Sequence, residues 1–338
     1  MAMRIVVALG GNALLKRGEP MTAEQQRINV RHAAKSLTEL IEAGHQIIVT
    51  HGNGPQVGLL ALQAAAGPPD GVHPLDLLGA QTEGMIGYLI EQELGNLLPD
   101  SAMIATLLTQ VRVDAKDPAF RNPTKPIGPT VDELTAEHTT AHRGWTFARD
   151  RERWRRVVPS PAPLEIFELR VIRMLVEQGV IVICTGGGGI PVVAQEDGSL
   201  IGVEAVIDKD RASGLLAEQL NADMLLLLTD VDAVYVDFGK PEARRIARIG
   251  ALSLNPDDFA KGSMGPKIEA ARSFAGSKGR TAGIGRLEDA MEILAGQAGT
   301  TVSEGDCPIQ FREVAPEPPA LRQKISKDQS GAAVPTSA

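Results

Sequence analysis

The chain has 338 residues, which is enough for one large α/β domain or two smaller ones. Aromatic residues make up only 3% of it, so the core must consist mainly of Val, Ile, Leu and Ala. The formal net charge of −8 argues against nucleic acid as a main partner.

Cysteine content and apolar run lengths indicate the compartment. Cys184 and Cys307 are the two cysteines, too few for a disulfide framework and typical of a reducing compartment. The apolar run after Arg4 is shorter than the core of a typical signal peptide. No apolar stretch approaches the ~20 residues of a membrane span. We therefore expect a cytoplasmic protein with no membrane partner.

The first elements predict a strand–helix–strand unit. Residues 5–9 read as a buried strand, and Thr22 with Gln25 three positions later forms a capping-box pattern that opens a helix. Gly44 ends this helix, and residues 47–50 form the second strand. This order is the signature of a parallel sheet.

The same alternation continues along the chain. Further helices are predicted over 164–178, 210–220, 268–274 and 287–294, and further strands over 180–185 and 224–229.

Two stretches depart from this alternation. Residues 112–160 are rich in proline and have poor helical periodicity, which fits either a solvated surface excursion or a small subdomain that covers the active site. Residues 316–338 have no periodic pattern, and we expect a disordered tail there. One domain over 1–315, with the 112–160 insertion, is the resulting organisation.

Three glycine-rich turns each follow a short apolar run. They begin at Gly10, Gly52 and Gly186. A strand that ends in glycines and opens a helix presents bare backbone N–H groups, and the helix N-terminus favours anions. Three such turns predict a site for an anionic, phosphorylated ligand.

The familiar nucleotide and metal motifs are missing from the sequence. It has no G-x-x-x-x-G-K-[ST] loop, no Rossmann G-x-G-x-x-G after the first strand, and no Cys/His cluster with zinc spacing. His51 adjoins a glycine turn but has no obvious partner, which is more typical of a structural than a catalytic histidine.

Three lysines lie in glycine- or proline-braced turns. Lys125 lies between two prolines, Lys209 between Asp208 and Asp210, and Lys267 at a second loop-to-helix junction. Phosphoryl transfer requires in-line positioning and a positive charge next to the negatively charged equatorial oxygens, and lysine supplies such a point charge. Together with the glycine turns, these lysines indicate phosphoryl-transfer chemistry, with an aspartate to hold them in place.

The segment after the 224–229 strand is acidic. Thr229, Asp230 and Tyr235 belong to it. Its position allows it to line a nucleotide pocket, and an ordinary acidic turn is the alternative.

Several stretches together resemble the amino acid kinase family, and within it the carbamate kinase branch. The matching stretches are 8–14, 50–58, 117–129, 155–161, 186–191, 202–210 and 262–267. They occur in one order from about residue 3 to residue 310. The resemblance implies a three-layer αβα sandwich around a mainly parallel sheet, a small protruding subdomain and a homodimer.

The resemblance also implies an activity. Members of this branch transfer a phosphoryl group between carbamoyl phosphate and ADP with Mg²⁺, usually in the direction of ATP. It assigns carbamate and phosphoryl binding to Gly10, Gly11, Asn12, Gly52 and Asn53.

The remaining roles follow from the same resemblance. Lys125 would reach in from the subdomain, Lys209 and Lys267 would neutralise phosphate charge, and Asp210 would orient the lysines. Thr229, Asp230, Tyr235 and Met264 would border the nucleotide, together with Lys209 and Lys267. The metal would be held mainly by phosphate oxygens, so no protein ligand is assigned.

One departure from the wider family favours this branch. Many relatives in the wider family carry lysine two residues before the first glycine pair, where this chain has Ala8. The resemblance implies that Lys125 supplies the missing charge. Two alternatives stay open: another small-acid kinase of the same fold, and a non-catalytic nucleotide or metabolite sensor. Gly214 fits less well, because glycine inside a helix costs about 1 kcal/mol relative to alanine.

Overall fold

The computed structural model describes residues 2–15, 18–67, 73–260, 264–277 and 279–312, without the side chains of Asn12 and Ala13. The tail predicted at 316–338 lies outside the described residues, as do Gly262 and Ser263 of the last matching stretch.

The helices and strands follow one another in close alternation. The helices are α1 Gly11–Leu14, α2 Ala23–Glu42, α3 Gly54–Ala66, α4 Leu75–Gly95, α5 Glu133–Arg143, α6 Leu169–Glu177, α7 Lys209–Gln219, α8 Met264–Ala275 and α9 Ala290–Leu294. The strands are β1 Arg4–Leu9, β2 Gln46–His51, β3 Ile104–Thr106, β4 Gln110–Arg112, β5 Lys125–Val131, β6 Thr146–Asp150, β7 Arg153–Val158, β8 Glu165–Ile166, β9 Ile181–Ile183, β10 Ile190–Ala194, β11 Leu200–Gly202, β12 Met224–Thr229, β13 Tyr235–Val236, β14 Arg244–Gly250, β15 Thr281–Arg286, β16 Thr300–Ser303 and β17 Gln310–Phe311.

A ten-stranded sheet forms the centre of the molecule. Nine of its strands run in the order β13-β14-β16-β15-β12-β1-β2-β9-β3, and β17 pairs with β14. β1 pairs in parallel with both β12 and β2, and β9 pairs in parallel with β2 and β3. Antiparallel pairs occur toward the other edge, where β15 pairs with β16. The mainly parallel sheet predicted from the sequence is therefore confirmed.

Both faces of the central sheet are covered by helices. Within β1, Ile5, Val7 and Leu9 belong to a core that includes side chains of α2, α4 and α9. Val6 and Ala8 point to the opposite core, which includes side chains of α6, α7 and α8. Because successive side chains of a strand alternate between faces, a strand buried on both sides reads as a continuous apolar run. The arrangement is the expected three-layer αβα sandwich.

The first helix begins as its capping pattern predicts. The backbone N–H of Gln25 donates to Thr22 Oγ1 at 3.2 Å, and α2 starts at the next residue after Thr22. Gly44 follows the helix with a φ of +85°, a conformation that glycine adopts without steric cost.

The helix predicted over 164–178 is wrong in its first turn. Glu165 and Ile166 form β8, which pairs antiparallel with β4, and α6 begins only at Leu169. The backbone N–H of Leu164 donates to Arg112 O and that of Phe167 to Gln110 O. Sheet pairing therefore uses the backbone groups that a longer helix would need.

The proline-rich region contains a small separate sheet. β5, β7 and β6 form an antiparallel three-stranded sheet, and α5 lies between β5 and β6 in the chain. Ala136 is the residue of α5 that is buried, so this helix carries little apolar pattern, which is why its periodicity was not recognised. A second small sheet, in the order β11-β10-β4-β8, has four short strands.

Within the described part of the chain, no helix combines the length and the apolar character that crossing a membrane requires.

Candidate active site

A cavity of about 970 Å³ opens at the carboxyl ends of the central strands. Because β12, β1 and β2 are adjacent and parallel, the segments that follow them meet at one edge of the sheet, the usual location of ligands in α/β folds. The cavity is lined by twelve of the residues selected from the sequence: Gly10, Gly11, Gly52, Asn53, Lys125, Lys209, Asp210, Thr229, Asp230, Tyr235, Met264 and Lys267. Asn12 lies in α1, and its side chain is outside the described part of the structure.

The first two glycine turns approach each other closely. A Cβ atom on Gly52 would lie 3.3 Å from the backbone nitrogen of Gly11, and one on Gly10 would lie 2.8 Å from Leu228 O. Larger residues would push these backbones apart. Glycine therefore lets the ends of β1 and β2 lie close together at one point of the cavity. The N–H groups of Gly10 and Gly52 are not bare as the sequence predicted, since they donate to Leu228 O at 2.9 Å and to Leu9 O at 3.2 Å.

The third glycine turn lies mainly behind the cavity. Of its four glycines, Gly187 lines the cavity, and a Cβ atom there would lie 2.1 Å from Asn53 Nδ2. Gly187, Gly188 and Gly189 have positive φ values of 66°, 97° and 85°. The turn thus packs closely against the Asn53 side chain, which donates to Thr82 Oγ1 at 2.9 Å.

Asp210 joins two of the predicted lysines. Lys209 Nζ lies 2.5 Å from Asp210 Oδ1, and Lys267 Nζ lies 3.0 Å from Asp210 Oδ2. Lys209 and Asp210 lie in the first turn of α7, and Lys267 in the first turn of α8. One carboxylate therefore fixes two ammonium groups from different helices at the cavity wall.

Asp210 and Lys267 stabilise each other's charge, whereas at Lys209 burial outweighs Asp210 and lowers the pKa of that lysine. Burial acts to raise the pKa of Asp210, but the ammonium groups of Lys209 and Lys267 outweigh it and lower the pKa below its usual range. Burial likewise acts to lower the pKa of Lys267, but Asp210 outweighs it and raises the pKa. The carboxylate and the Lys267 ammonium group are therefore both ionised at neutral pH.

The third predicted lysine reaches the same cavity from the small sheet. Lys125 is the first residue of β5, and its Nζ lies 2.6 Å from Asp208 Oδ2. Asp208 also lines the cavity, although sequence analysis treated it only as a neighbour of Lys209. Its place one residue before a helix, where aspartate is a preferred N-cap, was the available signal.

The other end of the cavity is apolar with a polar rim. The rim includes Tyr235, whose hydroxyl donates to Asp232 Oδ1 at 2.9 Å, and Arg245 Nη1 donates to Asp232 Oδ2 at 3.0 Å. Apolar side chains line the wall behind it: Val231, Val236, Ile246, Ile249, Leu254, Phe259, Met264 and Ile309. A flat aromatic base fits such a wall, with its phosphates directed toward the lysines.

His51 and Glu83 form a buried layer beneath the third glycine turn. His51 is fully buried, its Nδ1 lies 3.2 Å from Gly52 O, and burial lowers its pKa to about 4. It is therefore neutral and is not among the residues that line the cavity, in keeping with the structural interpretation. Glu83 accepts hydrogen bonds from the backbone N–H of Gly186 at 2.7 Å and of Thr109 at 3.2 Å. Glu83 is not among the residues selected from the sequence.

Comparison with known proteins agrees with this geometry. The model of the amino acid kinase family matches residues 3–285. The carbamate kinase of Rhizobium meliloti is 53% identical over 323 residues, which cover 95% of this chain and 99% of that protein. The carbamate kinase of Haemophilus influenzae is 54% identical over 302 residues, which cover 89% and 97%. The structure of carbamate kinase from Giardia lamblia bound to AMP-PNP aligns with a TM-score of 0.82 at 42% identity and covers 90% of this chain and 99% of that one.

Proposed function

Since the chain belongs to the amino acid kinase family, in its carbamate kinase branch, we propose that it transfers a phosphoryl group reversibly between carbamoyl phosphate and ADP. The products are ATP and carbamate, which decomposes to ammonia and CO₂. The convergence of Lys125, Lys209 and Lys267 with two glycine turns on one cavity is the observation that carries this proposal.

The glycine turns bind the group in transfer. Gly10, Gly11, Asn12, Gly52 and Asn53 hold carbamate and the phosphoryl group at the ends of β1 and β2, where the glycines let the ligand approach the backbone closely. Their fixed position places the acceptor oxygen in line with the phosphoryl group, and such alignment is a major part of the catalytic effect in phosphoryl transfer.

The lysines stabilise charge as the phosphoryl group moves. Lys209 and Lys267 face the phosphates, Asp210 orients both of them, and Lys125 completes the positive environment from the small sheet. Preorganised charges of this kind act most strongly in a partly desolvated site. No covalent intermediate forms, since direct transfer requires positioning and charge rather than a protein nucleophile.

The nucleotide lies along the rest of the cavity. Its base contacts the apolar wall near Met264, and its ribose lies near Thr229, Asp230 and Tyr235. Its phosphates extend toward Lys209 and Lys267. The AMP-PNP complex of the Giardia lamblia protein supports this use of the cavity by a nucleotide.

Mg²⁺ accompanies the nucleotide in this proposal. Asp208 and Asp210 each accept from lysine ammonium groups, and the described residues contain no group of three acidic, histidine or cysteine side chains arranged around one point. This chemistry fits a metal held mainly by phosphate oxygens rather than by a protein cage. Bound in that way, Mg²⁺ would neutralise charge on the phosphates.

The test is ATP formation from ADP and carbamoyl phosphate with Mg²⁺. We expect turnover by the wild-type protein and a loss of kcat of about 10²–10³-fold in Lys209→Ala, with a smaller change in ADP affinity. Lys35→Ala, which removes an exposed lysine of α2, is the matched control and should retain full turnover.

Each contrary result identifies an alternative. Near-wild-type turnover in Lys209→Ala would remove the role given to that lysine. Turnover of a different acyl phosphate in place of carbamoyl phosphate would indicate another small-acid kinase. Nucleotide binding without turnover of any phosphoryl donor would indicate a sensor.

We also propose a homodimer that forms at the β3 edge of the central sheet. β3 is the last strand on that side, and exposed apolar side chains flank it on both faces of the sheet. They are Leu77, Met85 and Tyr88 of α4, Met103 and Leu108 next to β3, and Phe167, Val171 and Met174 at α6. An apolar surface of this kind marks a protein interface, and a second copy satisfies it by two-fold symmetry.

The proposed compartment is the reducing cytoplasm. Cys184 and Cys307 are both free thiols, and Cys184 is buried within the core. Free thiols of this kind are maintained in a reducing environment.

A further inference from the structure

The two carboxylate oxygens of Asp208 have different partners. Oδ1 accepts from the backbone N–H of Asp210 at 2.9 Å and of Arg211 at 3.3 Å, which makes Asp208 the N-cap of α7. Oδ2 accepts from Lys125 Nζ at 2.6 Å. An N-cap requires only one acceptor oxygen, so the second oxygen and the negative charge serve another purpose.

The Lys125–Asp208 pair connects two separate parts of the molecule. Lys125 begins β5 of the three-stranded sheet, whereas Asp208 precedes the helix that carries Lys209 and Asp210, 83 residues later in the chain. Their side chains are only 22% and 14% exposed. Such partly desolvated pairs are stronger and more fixed than exposed ones, which contribute little.

We propose that Asp208 is a positioning residue that holds the Lys125 ammonium group at the cavity and keeps β5 next to the first turn of α7. The inference rests on the proposed function, because it takes the role of Lys125 in phosphoryl transfer from there. Without Asp208, the long Lys125 side chain, with four rotatable bonds, has no fixed position between the cavity and solvent.

Asp208 also balances the charges of the site. Lys125, Lys209 and Lys267 face two carboxylates, Asp208 and Asp210, around one cavity. Burial acts to raise the pKa of Asp208, but the positive charges, that of Lys125 first, outweigh it and hold the pKa below its usual range. Asp208 is thus a permanent negative charge, and its loss would make the cavity more attractive to anions while leaving Lys125 unplaced.

Asp208→Asn separates the two effects. The amide oxygen of asparagine keeps the N-cap, while its Nδ2 donor then faces the Lys125 donor. We expect kcat to fall about 10–100-fold, while KM for carbamoyl phosphate stays level or decreases. A higher KM together with an unchanged kcat would overturn the inference, because it would assign Asp208 to substrate binding alone.

A double-mutant cycle tests whether Asp208 acts through Lys125. Lys125→Met removes the ammonium group at nearly constant length, and adding Asp208→Asn to it should change kcat by less than about 2-fold. Independent, multiplicative losses would overturn the inference. Asp132→Asn is the matched control: it alters a carboxylate N-cap of α5 whose Oδ1 accepts from Thr135 N at 2.8 Å away from the cavity, and it should leave kcat unchanged.

The same cycle, measured by urea unfolding without substrate, separates this inference from the proposed function. The unfolding midpoints of the four proteins should show coupling between positions 208 and 125, and additive shifts would overturn the inference even if carbamoyl phosphate is turned over. If the two positions are coupled but the protein does not turn over carbamoyl phosphate, the role of Asp208 in holding Lys125 would stand, and the proposed reaction would be rejected instead.

Discussion

Three carboxylates near the cavity, two of them buried and that of Asp208 largely so, are stabilised by different partners. Asp208 and Asp210 contact lysine ammonium groups, which keep both ionised. Glu83 instead accepts from two backbone N–H groups, those of Gly186 and Thr109. Burial is the main influence on its pKa and raises it to about 8, although both hydrogen bonds oppose the shift. Glu83 therefore favours its neutral form in the folded protein more than in the unfolded chain.

This difference predicts a pH dependence of stability. Since the pKa of Glu83 is higher in the folded protein than its ordinary 4.5, the folded protein binds the proton more tightly. The stabilisation that protonated Glu83 gives to the folded protein is complete below about pH 4.5 and is lost as the pH rises toward about 8. We expect the difference in unfolding free energy between the wild-type protein and Glu83→Gln to decrease by about 1 kcal/mol or more over that range.

Urea unfolding of both proteins at several pH values measures this difference. Glu83→Gln keeps an acceptor oxygen for Gly186 but cannot titrate, so the other titrating groups cancel in the comparison. A difference that stays constant across the range would show that burial does not control the protonation of Glu83.

Single residues could be predicted from the sequence when their partners are close in the chain. Thr22 and Gln25 are three residues apart, and their capping bond forms as expected. Glu83 and Gly186 are 103 residues apart, and Glu83 lies in an ordinary helix, so nothing local distinguishes it. The lysines were intermediate cases. Proline and glycine around them marked unusual turns, and the family resemblance assigned Asp210 to orient them, but nothing local indicated that Asp208 would hold Lys125.

At the scale of elements, the buried parallel strands were the most predictable. β12 occupies the predicted 224–229, and β1 and β2 extend the predicted strands by one residue or two. Their short, continuous apolar runs are typical of strands that are buried on both faces of a sheet. The short strands β4, β8, β10 and β11 were not predicted, because their two to five residues carry no pattern and their pairing depends on distant segments.

The packing of α3 against β5 depends on two glycines. A Cβ atom on Gly58 of α3 would lie 2.1 Å from the backbone nitrogen of Gly128 in β5. We therefore expect Gly58→Ala to push β5 outward, displace Lys125 from Asp208 and lower kcat about 10-fold or more, since small displacements of positioned groups are costly. Steady-state kinetics with thermal unfolding measures the effect, and wild-type values for both would contradict this view of the contact.

Gly214→Ala is the matched glycine substitution in a helix. Gly214 is buried in α7, and a Cβ atom there would contact Ala270 Cβ at 3.5 Å, an ordinary van der Waals distance. Alanine at this position should therefore remove the unfavourable helix propensity of glycine without a steric clash. We expect the free energy of unfolding to increase by about 0.5–1 kcal/mol, with kcat unchanged. Destabilisation would mean that the α7–α8 interface has no room for the methyl group.

At the scale of the whole molecule, the sequence implied a homodimer without indicating its surface. Apolar positions on α4 and α6 continue the helical pattern whether they face the core or another chain, so periodicity alone does not separate the two. In the structure, Ile86 and Ile90 of α4 are buried in the core, whereas Met85 and Tyr88 remain exposed beside the β3 edge. That separation is the basis on which we propose this surface for the dimer.

A charge placed on this surface tests the dimer. We expect light scattering of the wild-type protein to give twice the chain mass of 35.8 kDa, and Tyr88→Glu to shift the mass toward a single chain, because the desolvation of a carboxylate at an apolar interface opposes association. Leu134→Glu, at a residue of α5 that is 78% exposed, is the matched control and should remain dimeric. A monomeric wild-type protein, or equal masses for both variants, would contradict the proposal that the dimer forms at the β3 edge. Because a single chain supplies Lys125, Lys209 and Lys267 together with both glycine turns, the monomeric variant should keep its turnover per chain.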